Sequence, residues 1–180
     1  LTINSGGTYS ATSGTTTMTK DAGSGEWTVD LVSGGEIVNN DGTFLFNSSG
    51  DQKIRLLGTG NFHNVTVNKG GSSDMVQGSN LTIEGDLDIT LSTAYTWRPN
   101  DAAHTLTVDG DCTIVEGKLG DTTNYTGAIS FGSLEIQSGG EYIATSGTTT
   151  ITGKNSSNYI IQMGGLFTHN SGTVYIDTSV

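Results

Sequence analysis

Cysteine, proline and positive charge are nearly missing from this chain, and each shortage excludes something. A single cysteine, Cys112, leaves no intrachain disulfide and no spacing for a zinc or iron–sulfur site. A single proline means that almost every residue keeps the N–H a backbone ladder needs. Seven Lys and Arg stand against 18 Asp and Glu, a net charge of −11. Such a surface repels phosphates and anionic lipid, so no nucleic-acid partner and no membrane insertion are expected. No apolar run approaches the length of a bilayer-spanning helix, and no signal peptide is visible. No stretch sustains a 3.6-residue apolar period, which argues against a helical fold.

What is abundant is Gly, Thr, Ser and Asn, with 27 Gly among 180 residues and only 33% hydrophobic positions. A chain of this composition is either disordered or an all-β repeat protein with many short strands and turns. The apolar residues decide between the two, because they recur in register. Residues 1–20, LTINSGGTYSATSGTTTMTK, match residues 134–153, LEIQSGGEYIATSGTTTITG, at fourteen of twenty positions. The opening phrase LTI returns as VDL (29–31), IRL (54–56), LTI (81–83), LTV (106–108), LEI (134–136) and YII (159–161), at steps of 25 to 28 residues. A fixed period in this range marks a repeat architecture.

A second set of positions tests the ruler. Eight residues after each start stand Tyr9, Ile37, Phe62, Ile89, Ile114, Tyr142 and Phe167, all large and apolar. Each phrase alternates apolar and other residues, the period of a strand. Gly pairs such as Gly6-Gly7 and Gly139-Gly140 follow the first strand, and Ser13-Gly14 or Ser146-Gly147 the second, where glycine turns a chain at no steric cost. A third strand follows in the fuller copies: TTTMT (15–19), TFLFN (43–47), TTTIT (148–152) and TVYID (173–177).

The expected fold is all-β: one β-solenoid domain over residues 1–180, about seven coils of roughly 26 residues with three short strands each. Coils start near 1, 29, 54, 81, 106, 134 and 159, and the seven residues from Tyr9 to Phe167 form one stacked column. At ~4.8 Å per coil the rod is roughly 30–35 Å long. A sandwich of hairpins ranks second, since it needs neither fixed period nor recurring columns. In coils three to five the turns loosen, so 61–80, 92–105 and 118–132 are candidate protruding loops. Leu1 already belongs to a core column, Val180 closely follows the last strand, and no cap is visible. The expectation is a piece of a longer chain or assembly, its ends covered by neighbouring sequence or other subunits.

Several side chains are candidates for chemistry. EGDLD (84–88) and DGDCT (109–113) place Glu84 over Asp109 and Asp86 over Asp111, an oxygen-rich cluster that a structural Ca²⁺ would neutralise; its bland reading is a solvated acidic turn. The same acids are a candidate glycosidase pair, but exposed turns do not readily supply the groove and raised carboxyl pKa that a hydrolase needs. The expectation is no enzyme. AYTWRPN (94–100) sets Tyr95, Trp97 and Arg98 in one stretch, a candidate carbohydrate-binding platform, against a reading in which Tyr95 or Trp97 packs into the core. His63, His104 and His169 share no metal spacing, and His169 aligns with Ala11 and Ala144, an inward slot. Asp30 and Arg55 share one outward slot on adjacent coils and are expected to pair. Sequons occur at Asn64, Asn80 and Asn124.

NFHNVTVNKGG (61–71), LTIEGDLDIT (81–90) and LTVDGDCTI (106–114) resemble the β-helical repeats of phage virion proteins and of large bacterial surface adhesins. The likeness spans nearly the whole chain but rests on core columns and Gly turns alone, and no catalytic motif is carried over. It implies a rigid, non-catalytic structural or attachment module at a virion surface or outside the cell. The forms it implies are a tail fibre, spike or capsid-decorating protein, with other virion or surface subunits and possible host-surface glycans as partners and a homotrimer as the favoured assembly. An adhesin domain is the alternative, and a carbohydrate-active enzyme on a β-helix the third reading.

Overall fold

The structure, a computed structural model, describes residues 1–71, 73–121 and 125–177. Among them there is no helix. The strands run in order as β1 (Thr2–Ile3), β2 (Thr8–Ser10), β3 (Thr15–Met18), β4 (Val29–Leu31), β5 (Glu36–Val38) and β6 (Thr43–Phe46). They continue as β7 (Gln52–Leu56), β8 (Asn64–Lys69), β9 (Met75–Gln77), β10 (Leu81–Ile83), β11 (Leu87–Leu91) and β12 (Thr96–Pro99). Then come β13 (Leu106–Leu119), β14 (Ile129–Ile143), β15 (Thr148–Ile151), β16 (Ile161–Met163), β17 (Leu166–Thr168) and β18 (Thr173–Ile176). Every pairing between them is parallel, as it must be when a ribbon winds repeatedly in one sense.

The winding has three faces. On the first, β1, β4, β7, β9 and β12 are followed by the ends of β13 and β14 and by β17. On the second, β10 is followed by the starts of β13 and β14, then β15 and β18. The pair β2–β5 leads toward β10 through single bridges, Glu36 to Thr59 and Phe62 to Ile83. The third face stacks β3, β6, β8 and β11, the middles of β13 and β14, and β16. The long strands β13 and β14 serve all three faces, and their register shifts between Val108 and Asp111 and between Ile114 and Glu116, where bulges turn the corners.

The chain is therefore a β-solenoid. Its third-face column runs Met18, Phe46, Val67, Ile89, Ile114, Ile136, Met163, six full turns. Alternation along strands such as β4, β6, β8, β10 and β11 sends one side chain to the core and the next outward. Val65, Val67, Leu87, Ile89, Cys112, Ile114, Leu134 and Ile136 are buried at or near zero exposure. Aromatic rings cluster in two places. Phe44 lies 4.4 Å from Phe62 between ring centroids, and Tyr142 lies 5.5 Å from both Phe131 and Phe167. Such pairs contribute about 0.5–1.5 kcal/mol each beyond area burial.

The expected single column does not form. Turn lengths on the third face are 28, 21, 22, 25, 22 and 27 residues, shorter on average than the spacing of the LTI-like phrases. A ruler of about 26 residues overshoots the short turns and moves round the solenoid. Residues 1–3, 29–31 and 54–56 lie on the first face, 81–83 and 106–108 on the second, and 134–136 on the third. Tyr9 stacks with Ile37 and Phe62 with Ile83, whereas Ile89 and Ile114 belong to the third face and Tyr142 and Phe167 to the first.

The same slip explains the supposed loops. Much of 61–80 forms β8 and β9, 92–105 contains β12, and 118–132 holds the end of β13 and the start of β14. Residues 122–124 of the last stretch, with the Asn124 sequon, and Val180 lie outside the described residues. His169, level with Ala144, is exposed rather than inward, its Nδ1 accepting the Ser171 N–H at 3.4 Å.

Candidate functional site

The acidic residues meet at the corner between the second and third faces. The pairing of Leu81 with Leu106 and of Ile83 with Val108 sets Glu84 level with Asp109, as the spacing required. One step on, Asp86 Oδ1 accepts the backbone N–H of Asp111 at 2.8 Å. The same contact recurs one coil earlier, where Asn64 Oδ1 accepts the Asp86 N–H at 2.9 Å; one coil later the link is between side chains, the Ser133 hydroxyl donating to Asp111 Oδ1 at 2.6 Å. Asn64, Asp86, Asp111 and Ser133 thus form a vertical ladder, in which side chains on successive coils tie this corner together. Short oxygen-bearing side chains do this work wherever a turn leaves an N–H unpaired.

Glu84 points elsewhere. It accepts the Nδ2 groups of Asn39 at 2.8 Å and Asn61 at 3.1 Å. Hydrogen bonds from Asn61 and Asn39 hold its carboxyl below the ordinary range. The four carboxylates are adjacent but do not converge, and among the described residues no group of three His, Cys, Asp or Glu is arranged to hold a metal ion. The sequons at Asn64 and Asn80 use their side-chain oxygens in the same corner bonding, Asn80 Oδ1 accepting the Thr105 N–H at 3.0 Å.

The acid that the spacing did not single out is Asp88, on the outer side of the third face between Thr66 and Thr113. Desolvation, with the negative charges of Asp86 and Asp111, holds its carboxyl above the ordinary value. The signal was present in the alternation of DLD, which turns Asp86 and Asp88 to the same side.

Tyr95, Trp97 and Arg98 do not share a surface. Strand alternation in β12 drives Trp97 inward, 1% exposed, into a column with Met75 and Leu119, while Arg98 faces out. Tyr95 is half-buried against the core. A second half-buried aromatic on this side of the molecule is Trp27, from the connection between β3 and β4. Its six-membered ring rests on Gly78, where a Cβ would lie 2.0 Å from Cη2. The Arg55 guanidinium lies over the ring, 4.9 Å from its centroid, a cation–π contact. An aromatic residue in the Gly- and Ser-rich stretch KDAGSGEWT was the sequence signal for this site, and periodic columns gave no reason to look there.

Trp27 stands between two clefts on the outer side of the first face. One, about 300 Å³, is lined by Trp27, Asp51, Lys53, Val76, Arg98 and Asn100. The other, about 280 Å³, includes Thr2, Lys20, Trp27, Asp30 and Arg55. Arg98 Nε donates to Asp74 Oδ2 at 3.0 Å, and Arg55 holds both oxygens of Asp30. Four of the seven basic residues of an acidic chain therefore line these two clefts, and their carboxylate neighbours leave the region close to neutral. No family model, curated protein or solved structure matches the chain.

Proposed function

We propose that the chain is a non-catalytic structural and attachment module of a virion, a rod segment in a fibre, spike or capsid-decorating protein, acting at a virion surface. The observation that carries this reading is the parallel stacking on three faces round a continuous apolar core. Rod length is then held by main-chain hydrogen bonds along the axis, and the corner carboxylates reinforce the stacking instead of standing free for chemistry. The partners this reading implies are other virion or surface subunits, with a homotrimer as the favoured assembly.

The test is the mass and shape of the full chain in solution, by sedimentation and light scattering. A trimer is the expected result. A monomeric rod at every concentration would overturn the fibre form and favour a bacterial adhesin domain. The glycan-cleaving alternative has its own measurement, because Asp88 supplies a raised carboxyl beside Asp86. Release of reducing ends from polysaccharides, lost in Asp86→Asn or Asp111→Asn, would replace the structural reading.

A further inference from the structure

We propose that the cleft between Trp27 and Arg98 binds a neutral hexose-containing glycan. The proposal rests on the attachment reading, for which it supplies the ligand. The argument starts from the indole. Trp27 is half-buried, and its seat on Gly78 fixes the ring at no cost to the ligand. Arg55 lines the second cleft and not the first, so the guanidinium covers the ring from the second cleft's side. Trp27 borders the first cleft as well, beside Val76. An aromatic face with an apolar neighbour, here Val76, is what the C–H side of a pyranose packs against.

Polar groups around that face suit hydroxyls. Arg98, Lys53 and Asn100 donate, and Asp51 and Glu26 accept. Arg98 is held in place by Asp74, and Asp51 by the Asp74 N–H at 2.9 Å, so donor and acceptor are both oriented before a ligand arrives. Lys53 has only a 3.5 Å contact to the Gly23 carbonyl and keeps donor capacity. The two cations and two anions of this lining cancel. A carboxylated sugar would be drawn by Lys53 and repelled by Asp51 and Glu26, whereas a hydroxyl, both donor and acceptor, is served by each. A volume near 300 Å³, at the small end for ligand sites, matches a ring or two rather than a long chain.

The test is a titration of the full chain with neutral glucose-, galactose- and mannose-based oligosaccharides, followed by calorimetry in every variant and also by tryptophan fluorescence where Trp27 is present. Trp97 is buried and reports that the fold is intact; Trp27 reports the ligand. The expected result is a saturable change with at least one neutral series. Trp27→Ala should weaken binding by about tenfold or more, Asn100→Ala should weaken it severalfold, and Lys154→Ala, whose side chain lines a cleft beside Asp109 and Asp111, should leave it alone. Unchanged binding in both Trp27→Ala and Asn100→Ala, with the buried Trp97 emission retained, would overturn the site. Binding of acidic glycans only, or of none up to about 10 mM, would overturn the ligand class. A chain that binds these sugars as a monomer keeps this site and loses the fibre form, so the two failures are distinguishable.

Discussion

Arg55 sits one coil along from Asp30 and holds both of its carboxylate oxygens, Nε to Oδ1 and Nη2 to Oδ2, each at 2.9 Å. The pair was legible from the shared outward slot. Its second function was not: the same guanidinium is stacked on Trp27. In a double-mutant cycle of Asp30→Ala and Arg55→Ala, followed by urea unfolding, the coupling energy is expected at about 0.5–1 kcal/mol, shrinking with added salt. Arg55→Lys should lose most of it, because an ammonium cannot make the two-pronged contact. A coupling that is absent, or indifferent to salt, would count against the pair.

Lys69 sets an alkaline rise in stability. Its side chain is buried, with Nζ donating to the Gly50 carbonyl at 2.5 Å. Burial, partly opposed by Asp51, Asp21 and Asp74, pushes its pKa down to about 8. An unfolded lysine titrates near 10.4. Between these values the unfolded chain binds more protons than the folded one, so stability rises with pH, by up to about 3 kcal/mol across the window. Above about pH 10 the sign reverses. Burial raises the pKa of Tyr125 and Tyr142, so the unfolded tyrosines ionise first and stability falls. Burial also raises the pKa of the Cys112 thiol, which opposes the Lys69 rise from about pH 8.5, where an unfolded cysteine ionises. In a Cys112→Ala background the melting temperature should therefore climb between about pH 8 and 10, and Lys69→Met should flatten that climb.

Cys112 should be chemically silent in the folded protein. The thiol is fully buried between Leu87 and Leu134 in a second column of the third face, and burial pushes its pKa up. Alkylation with iodoacetamide is expected to be negligible in buffer and complete in guanidinium chloride. Rapid labelling without denaturant would show that the column opens.

Two glycines with positive φ should respond differently to alanine. Gly6 has φ +78° and nothing within 4 Å of an added Cβ, so Gly6→Ala meets only the left-handed backbone cost of about 1–2 kcal/mol. Gly120 has φ +108°, and a Cβ there would lie 2.1 Å from the Ile143 carbonyl oxygen on the next coil. Gly120→Ala is expected to cost about 3 kcal/mol or more, by chemical denaturation. Equal losses at the two sites would mean that adjacent coils are not packed this closely.

Local pattern carried much of the fold. Alternation placed inward and outward residues correctly in TTTM, TFLF, LTV and LEI, and the level pairing of Glu84 with Asp109 followed from it. Polar residues in inward slots were not legible. Gln52 and Gln77 are buried because their amides satisfy carbonyls at the corners, Gln52 Nε2 reaching Met18 O at 2.8 Å and Gln77 Nε2 reaching Thr105 O at 2.7 Å. A hydrophobic count passes over both. The acidic corner was found by spacing, but only the direction of each side chain separates a capping ladder from a metal site. Trp97 and Arg98 were grouped as neighbours in sequence, and neighbours on a strand point to opposite sides.

The two near-identical segments divide the credit. Each builds the same local unit: Tyr9 with Thr16 and Tyr142 with Thr149 share a hydroxyl contact, and Gly14 and Gly147 each donate an N–H at 3.0 Å to the threonine two residues before. Short-range sterics and hydrogen bonding suffice for that, so the sequence alone determined strand, turn, strand, turn, strand. Ile3 nevertheless lies on the first face, paired with Leu31, while Ile136, at the same place in the repeat, lies on the third between Ile114 and Met163. The second copy is rotated by one face. Only the tertiary structure decided that, because the face a strand reaches depends on the summed lengths of all turns before it. Those lengths are set by how each coil packs on the next.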